Sequence, residues 1–223
     1  IKFGQAVCPD GIVMAGNGSF HIEVKGIGGH SSQPEFCNDP VLAAAAITIA
    51  LQQIISRRVA PQKTAVVSVT SLQAPSGPTI IPSYAKIQGS IRISDLVLRD
   101  KIAQDIKEIT HSTGKAYGVK TIVEFKKRYG PTINHEKAAA HMRKNLEQNF
   151  GSSWKSNIAI PIMASEDFSY YLEKIPGAFA LIGSDESNGT SSIPCHNQYY
   201  DFNDKLIEPV SKLLIQVANF NDI

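Results

Sequence analysis

Phe20, Ile22 and Val24 alternate with His21, Glu23 and Lys25, the period-two pattern of a strand with one buried face. A Gly/Ser-rich loop follows from Gly26 to Pro34. Asp39-Pro40 then reads as an N-cap with proline at the first helical position. Ile47, Leu51 and Ile54, at helical spacing, carry the predicted helix to about Arg57. Ala65 to Thr70 predicts a second strand, and the prolines and glycine between Ala74 and Pro82 predict a loop. Ala85, Ile87, Gly89, Ile91 and Ile93 alternate with Lys86, Gln88, Ser90 and Arg92, which predicts a third strand with one polar face. Leu98, Ile102, Ile106 and Ile109 mark a second helix ending near Gly114 to Gly118, and Lys120 to Lys126 reads as a fourth strand.

The order strand, helix, strand, strand, helix, strand is the split βαβ, ferredoxin-like unit, and it occupies about residues 20–130. It leaves a flank at 1–19 and a long segment at 131–223. That segment predicts a helix from about His135 to Phe150 and a strand near Asn157 to Pro161. The polar-aromatic stretch Ser165 to Tyr171 follows, then a strand at Ala178 to Ile182 and a helix from about Leu206 to Asn219. Its strands are too few for a sheet of their own. The expected fold is α/β: a ferredoxin-like βαββαβ module inserted in a larger α/β domain of which only the later part is present. The start at Ile1 rather than Met agrees with a piece of a longer protein.

Composition narrows the classes. The chain has 223 residues, 43% hydrophobic and 19% charged, which is ordinary for a globular protein and unlike a disordered one. With 22 basic against 20 acidic side chains the net charge is +2, so there is no electrostatic footprint for nucleic acid. The longest apolar run, Val41 to Leu51, is short of membrane-spanning length, and no membrane partner is expected. Cys8, Cys37 and Cys195 form no CxxC pair, which argues against a disulfide scaffold or a zinc knot and suggests free thiols in a cytoplasmic protein. Asn17-Gly18-Ser19 and Asn188-Gly189-Thr190 match the glycosylation pattern, but both fall at Gly-rich turns and are expected to be accidental.

Four places can carry chemistry. His30 follows Gly26-Ile27-Gly28-Gly29 at a strand end, where a ligand can approach closely, although a lone loop histidine is more often simply solvated. Arg92, on a polar strand face, can clamp a carboxylate with its planar fork or point into solvent. Glu166-Asp167 can place an acid in a cleft or form the first turn of a helix. His196, beside Cys195, can ligate a metal, yet one histidine is not a metal site. There is no HExxH, no GxSxG elbow and no phosphate loop.

The stretch Gly28-Gly29-His30-Ser31-Ser32-Gln33-Pro34, then Asp39-Pro40-Val41 and an Ala-rich helix ending in Ser56-Arg57, resembles the aminoacylase/carboxypeptidase family of metallopeptidases. Its amidohydrolase branch includes hippurate hydrolase and the indole-acetyl-amino acid hydrolases. The resemblance continues through Ile81-Pro82, Gly89-Ser90-Ile91-Arg92, Glu166-Asp167-Phe168-Ser169, Pro176-Gly177 and Ile182-Gly183. It ends with His196 and Tyr200-Asp201-Phe202-Asn203-Asp204, so it covers essentially the whole chain.

The resemblance implies a catalytic α/β domain holding two divalent metal ions, zinc or manganese, with an inserted ferredoxin-like lid that also makes a homodimer. It implies hydrolysis of the amide of an N-acyl amino acid or small peptide by a metal-activated water, with a glutamate as general base. His30 matches the lid histidine that stabilises the oxyanion, often in the partner subunit's site. Arg92 matches the arginine that grips the substrate carboxylate, and Glu166 stands at a further substrate-binding position. His196 matches a metal ligand. The family's other ligands, in a Cys-Gly-His-Asp type motif, a Glu-Glu pair and another histidine, lie upstream and are absent from this sequence. A family asparagine that contacts substrate is replaced by Thr79, shorter and without an amide donor. The chain alone is therefore expected to be inactive. The alternative is a stand-alone, non-catalytic dimerisation or small-molecule-binding module derived from the lid.

Overall fold

Ten strands and five helices form among the described residues, which are 1–186, 193 and 196–218 of a computed structural model. In chain order they are β1 (Ala6–Val7), β2 (Gly11–Met14), β3 (Gly16–Lys25), β4 (Gly29–His30), α1 (Pro40–Leu51), β5 (Ala65–Gln73), β6 (Ile80–Ile81), β7 (Tyr84–Ile93), α2 (Leu96–Ala116), β8 (Lys120–Lys127), β9 (Thr132–Asn134), α3 (Glu136–Phe150), α4 (Ser169–Leu172), β10 (Leu181–Ile182) and α5 (Ile207–Val217). They fall into two units. One comprises 1–14, 132–162 and 166–223, and the other 15–131 with 163–165.

The second unit holds an antiparallel sheet in the order β5-β7-β3-β8, with α1 and α2 in the two crossovers. This is the ferredoxin-like arrangement expected from the pattern. The alternation decides the faces. Phe20, Ile22, Val24, Ile87 and Ile91 point to the helices, where they meet Ile47, Leu51, Ile102 and Ile106 in a buried core. Each such side chain contributes about 1.5–3 kcal/mol by leaving water. Gly89 is obligatory in this core, because a Cβ there would lie 2.1 Å from the Phe20 ring. Serines, glutamines and charged residues of the same strands line the open face.

Asp39 caps α1 as expected, its Oδ1 accepting the Val41 N–H at 2.7 Å and the Leu42 N–H at 3.3 Å. Beyond Leu51 the helix widens into a π turn over Ile54–Arg58. There Arg58 reaches Asp105 at 3.0 Å, and Lys101 holds the same carboxylate at 2.7 Å. Two cations thus satisfy an acid that is nearly buried. The run Pro40–Arg58, 19 residues with a mean hydropathy of 1.3, is longer than the apolar stretch read from sequence. Its inner face is core, with Ala43, Ala44, Ile47, Leu51 and Ile54 fully buried.

In the first unit β1 pairs with β10 and β2 with β9. Ala139 and Leu146 of α3 and Leu213 of α5 pack with Trp154 in a second core. Two strand expectations need correction. No strand forms at Asn157–Pro161; nearby residues make only isolated bridges, Ala6 to Lys155 and Met14 to Ile162. Pro161 offers no ladder N–H there. The strand at Ala178–Ile182 shrinks to Leu181–Ile182 because a side chain replaces the ladder: Asn134 Oδ1 accepts the Phe179 N–H at 2.7 Å and its Nδ2 donates to the Phe179 carbonyl at 3.0 Å. The last helix starts at Ile207, after a 3-10 turn capped by Asn203. Cys8 and Cys37 carry free thiols. Burial pushes the Cys8 thiol up to about 11, with Arg143 opposing. Cys195, Asn188-Gly189-Thr190 and Asn219 lie outside the described residues.

Candidate functional site

The loop after β3 is built by close backbone contact. Ile27 and Asn38 exchange backbone hydrogen bonds at 3.0 and 2.9 Å, and a Cβ on Gly28 would lie 2.5 Å from the Ile81 carbonyl oxygen. Only glycine lets the two segments touch. β4 therefore pairs antiparallel with β6, Gly29 against Ile81 and His30 against Ile80. One residue further on, the Ser31 N–H donates to the Thr79 carbonyl at 2.9 Å. The glycines of the sequence motif thus serve a two-strand ladder that brings His30 and Thr79 together, both exposed. The Gln33 N–H then donates to the His30 carbonyl at 2.9 Å and closes a tight turn.

Arg92 lies on the open face of β7, in register with Asn17 of β3 and Val66 of β5. It is half-buried, and no described residue offers it a hydrogen bond or ion pair. Its neighbour Asn17 is buried. Asn17 Nδ2 donates to Ser165 Oγ at 2.8 Å and its Oδ1 accepts the Tyr129 N–H at 3.0 Å. The Asn17-Gly18-Ser19 amide is thus occupied within the fold.

Arg92 and His30 sit at opposite ends of the sheet. Arg92 pairs next to the start of β3, whereas His30 lies beyond its end. Strand rise over the eight steps from Asn17 to Lys25 separates the two ends by roughly 27 Å. Within one chain the two side chains do not converge.

Glu166 and His196 belong to the other unit. Glu166 is half-buried, and its carbonyl accepts the Ser169 N–H at 3.4 Å while Asp167 receives the Tyr170 N–H at 2.9 Å. The pair thus opens the short α4. The aromatic residues after it pack together, Phe168 against Tyr171 and Phe179 at 5.7 and 5.6 Å between ring centroids. His196 is exposed with φ +70°, a left-handed conformation uncommon outside glycine. Among the described residues no group of three or more His, Cys, Asp and Glu could hold a metal ion. Zinc needs three or four protein ligands, so the described donors do not fit a metal centre by themselves.

Sequence reasoning missed one residue of this region. Ser32 touches the His30 ring with both its N–H and its hydroxyl. The available signal was a serine two positions after the histidine, a residue type that bonds locally in turns.

The ferredoxin-like sheet thus presents a histidine and a threonine on an appended ladder and, at its far end, an arginine with no partner among the described residues. Comparison with known proteins adds to this: residues 14–118 match the peptidase dimerisation domain. Over 208 residues the chain is 33% identical to hippurate hydrolase of Campylobacter jejuni, covering 93% of this chain and 53% of that protein. A solved structure from methicillin-resistant Staphylococcus aureus, assigned as an aminohydrolase, superposes with a TM-score of 0.83 at 27% identity, over 98% of this chain and 55% of that one. A dinuclear metal binding peptidase of the M20 family from Bacillus subtilis shares the fold, with a TM-score of 0.75 at 23% identity, over 98% of this chain and 53% of that one. The chain spans about half the length of the curated relatives it matches, 53% in the case of hippurate hydrolase.

Proposed function

We propose that this chain is the lid and the later catalytic-domain segment of a two-metal amidohydrolase that cleaves N-acyl amino acids or small peptides. The observation that carries this reading is the division of polar groups over the sheet. His30 and Thr79 lie at one end, and Arg92, which has no partner among the described residues, lies at the other. A half-buried guanidinium without a carboxylate partner bears a desolvation cost that an anionic ligand offsets. The carboxylate of an N-acyl amino acid is such a ligand. The separation of the two ends means that one substrate meets Arg92 of its own subunit and His30 of a second copy.

The sheet edges support a homodimer. β8 carries Lys120, Lys126 and Lys127, which blunt an edge strand, whereas β5 runs from Ala65 to Gln73 without a charge and exposes Val66 and Leu72. β5 is therefore the edge proposed for pairing. In the assembled site His30 donates a hydrogen bond to the substrate carbonyl oxygen as negative charge grows on it. Thr79 borders the substrate beside His30, Arg92 pairs with the substrate carboxylate, and Glu166 lines the substrate pocket. His196 is one ligand of a two-metal centre, zinc or manganese, whose other ligands lie outside this chain. The free thiols of Cys8 and Cys37 fit a cytoplasmic enzyme.

Release of free amino acid from N-benzoylglycine and related N-acyl amino acids tests the reading. The full-length protein is expected to show the activity, to lose it to a chelator and to regain it with zinc or manganese. This chain alone is expected to show none. A folded, metal-supplemented full-length protein inert on every N-acyl amino acid tried would favour the non-catalytic module instead.

A further inference from the structure

The contact between Ser32 and His30 decides which ring nitrogen of His30 faces outward. The Ser32 backbone N–H lies 3.2 Å from His30 Nδ1, and Ser32 Oγ lies 2.7 Å from the same nitrogen. A hydroxyl can donate or accept, so the 2.7 Å contact alone leaves the proton position open. The amide can only donate. It meets Nδ1 favourably only when that nitrogen presents its lone pair, and a neutral imidazole then carries its proton at Nε2. The hydroxyl donates to Nδ1 as well. Neither chain neighbour of Ser32 is free to move away: the Ser31 N–H is tied to Thr79 and the Gln33 N–H to the His30 carbonyl, so the turn holds Ser32 against the ring.

We infer that Ser32 is a positioning residue that fixes His30 as the Nε2–H tautomer, so that the exposed tip of the ring is a single hydrogen-bond donor. A carbonyl oxygen gaining negative charge needs such a donor. The opposite tautomer would present a lone pair to it. The use of this donor in turnover rests on the amidohydrolase reading above; the tautomer itself does not.

Two measurements separate the two. The first is nitrogen NMR of this chain labelled with 15N at histidine, at a pH where the imidazole is neutral, with the His30 signals identified by their loss in His30→Gln. The expected spectrum shows a bare, acceptor-type Nδ1 and a protonated Nε2. Ser32→Ala keeps the amide donor and removes the hydroxyl donor, so it raises the minor Nδ1–H form without reversing the preference, and Ser32→Thr keeps the single form. A protonated Nδ1 in the unsubstituted chain overturns the inference whatever the enzyme does, and a His30 spectrum unchanged in Ser32→Ala overturns the part assigned to the hydroxyl. The second is hydrolysis of N-acyl amino acids by the full-length protein. Ser32→Ala is expected to lower kcat about three- to tenfold, the worth of one neutral hydrogen bond, with KM unchanged and with Ser32→Thr restoring the rate. A full-length protein that shows the single tautomer but hydrolyses nothing refutes the amidohydrolase reading and leaves the tautomer assignment supported. Unchanged kcat in Ser32→Ala of an active enzyme overturns the positioning role.

Discussion

His30→Ala in the full-length protein will lower kcat for N-acyl amino acid hydrolysis by about 10²–10³-fold, the effect of removing one oxyanion donor. The fold gives little reason for any other loss. His30 is exposed, and its ring hydrogen-bonds only to Ser32 among the described residues. Its backbone, which holds the ladder to Ile80 and the turn to Gln33, is untouched by the substitution. Stability should therefore change by less than about 0.5 kcal/mol, as for other surface replacements away from packing and caps. KM should change little, because an oxyanion contact is made chiefly in the transition state. Steady-state kinetics beside a thermal melt check both halves. A turnover within twofold of the wild type would reduce His30 to a solvated loop residue.

Arg92→Ala will act on the other side of the reaction, with a loss in kcat/KM of about 30–150-fold carried mainly by KM, as expected for removing a charge-assisted pair worth about 2–3 kcal/mol. Arg92→Lys should recover only part of this, because an ammonium cannot make the planar two-pronged contact. The unliganded protein should not suffer. Arg92 has no partner among the described residues, and replacing a half-buried unpaired cation by alanine removes a desolvation cost. Equal losses in KM for substrates with and without a free carboxylate would show that Arg92 does not read the carboxylate.

Much of the ferredoxin-like unit was legible because its strands have one buried face. The alternation through Phe20–Lys25 and Ala85–Ile93 set both the strands and the face that takes the helices, and Asp39-Pro40 marked a helix start down to its capping hydrogen bonds. The first unit was harder to read for a physical reason. Its strands are two to four residues long, and Asn134 substitutes a side chain for ladder hydrogen bonds at Phe179, which leaves no periodic signal. The site divided in the same way. The glycines before His30 predicted an approachable loop, but their actual task, letting Gly28 touch the Ile81 carbonyl so that His30 and Thr79 share a ladder, depends on a contact between segments about fifty residues apart. The distance between Arg92 and His30 needed the strand register, which pattern alone does not supply. Glu166 and His196 resembled site residues by motif, whereas their surroundings in the fold are a short helix start and an exposed left-handed turn.

The central claim is that one catalytic site draws Arg92 from one subunit and His30 from its partner. Co-expression of full-length His30→Ala and Arg92→Ala chains with different tags, followed by isolation of the mixed dimer, tests it most directly. In the mixed dimer one site has both residues intact and the other has neither, so a kcat/KM per dimer of about half the wild-type value, measured at low substrate, is expected, against a few per cent or less in either parent. A mixed dimer as inactive as its parents would contradict the shared site.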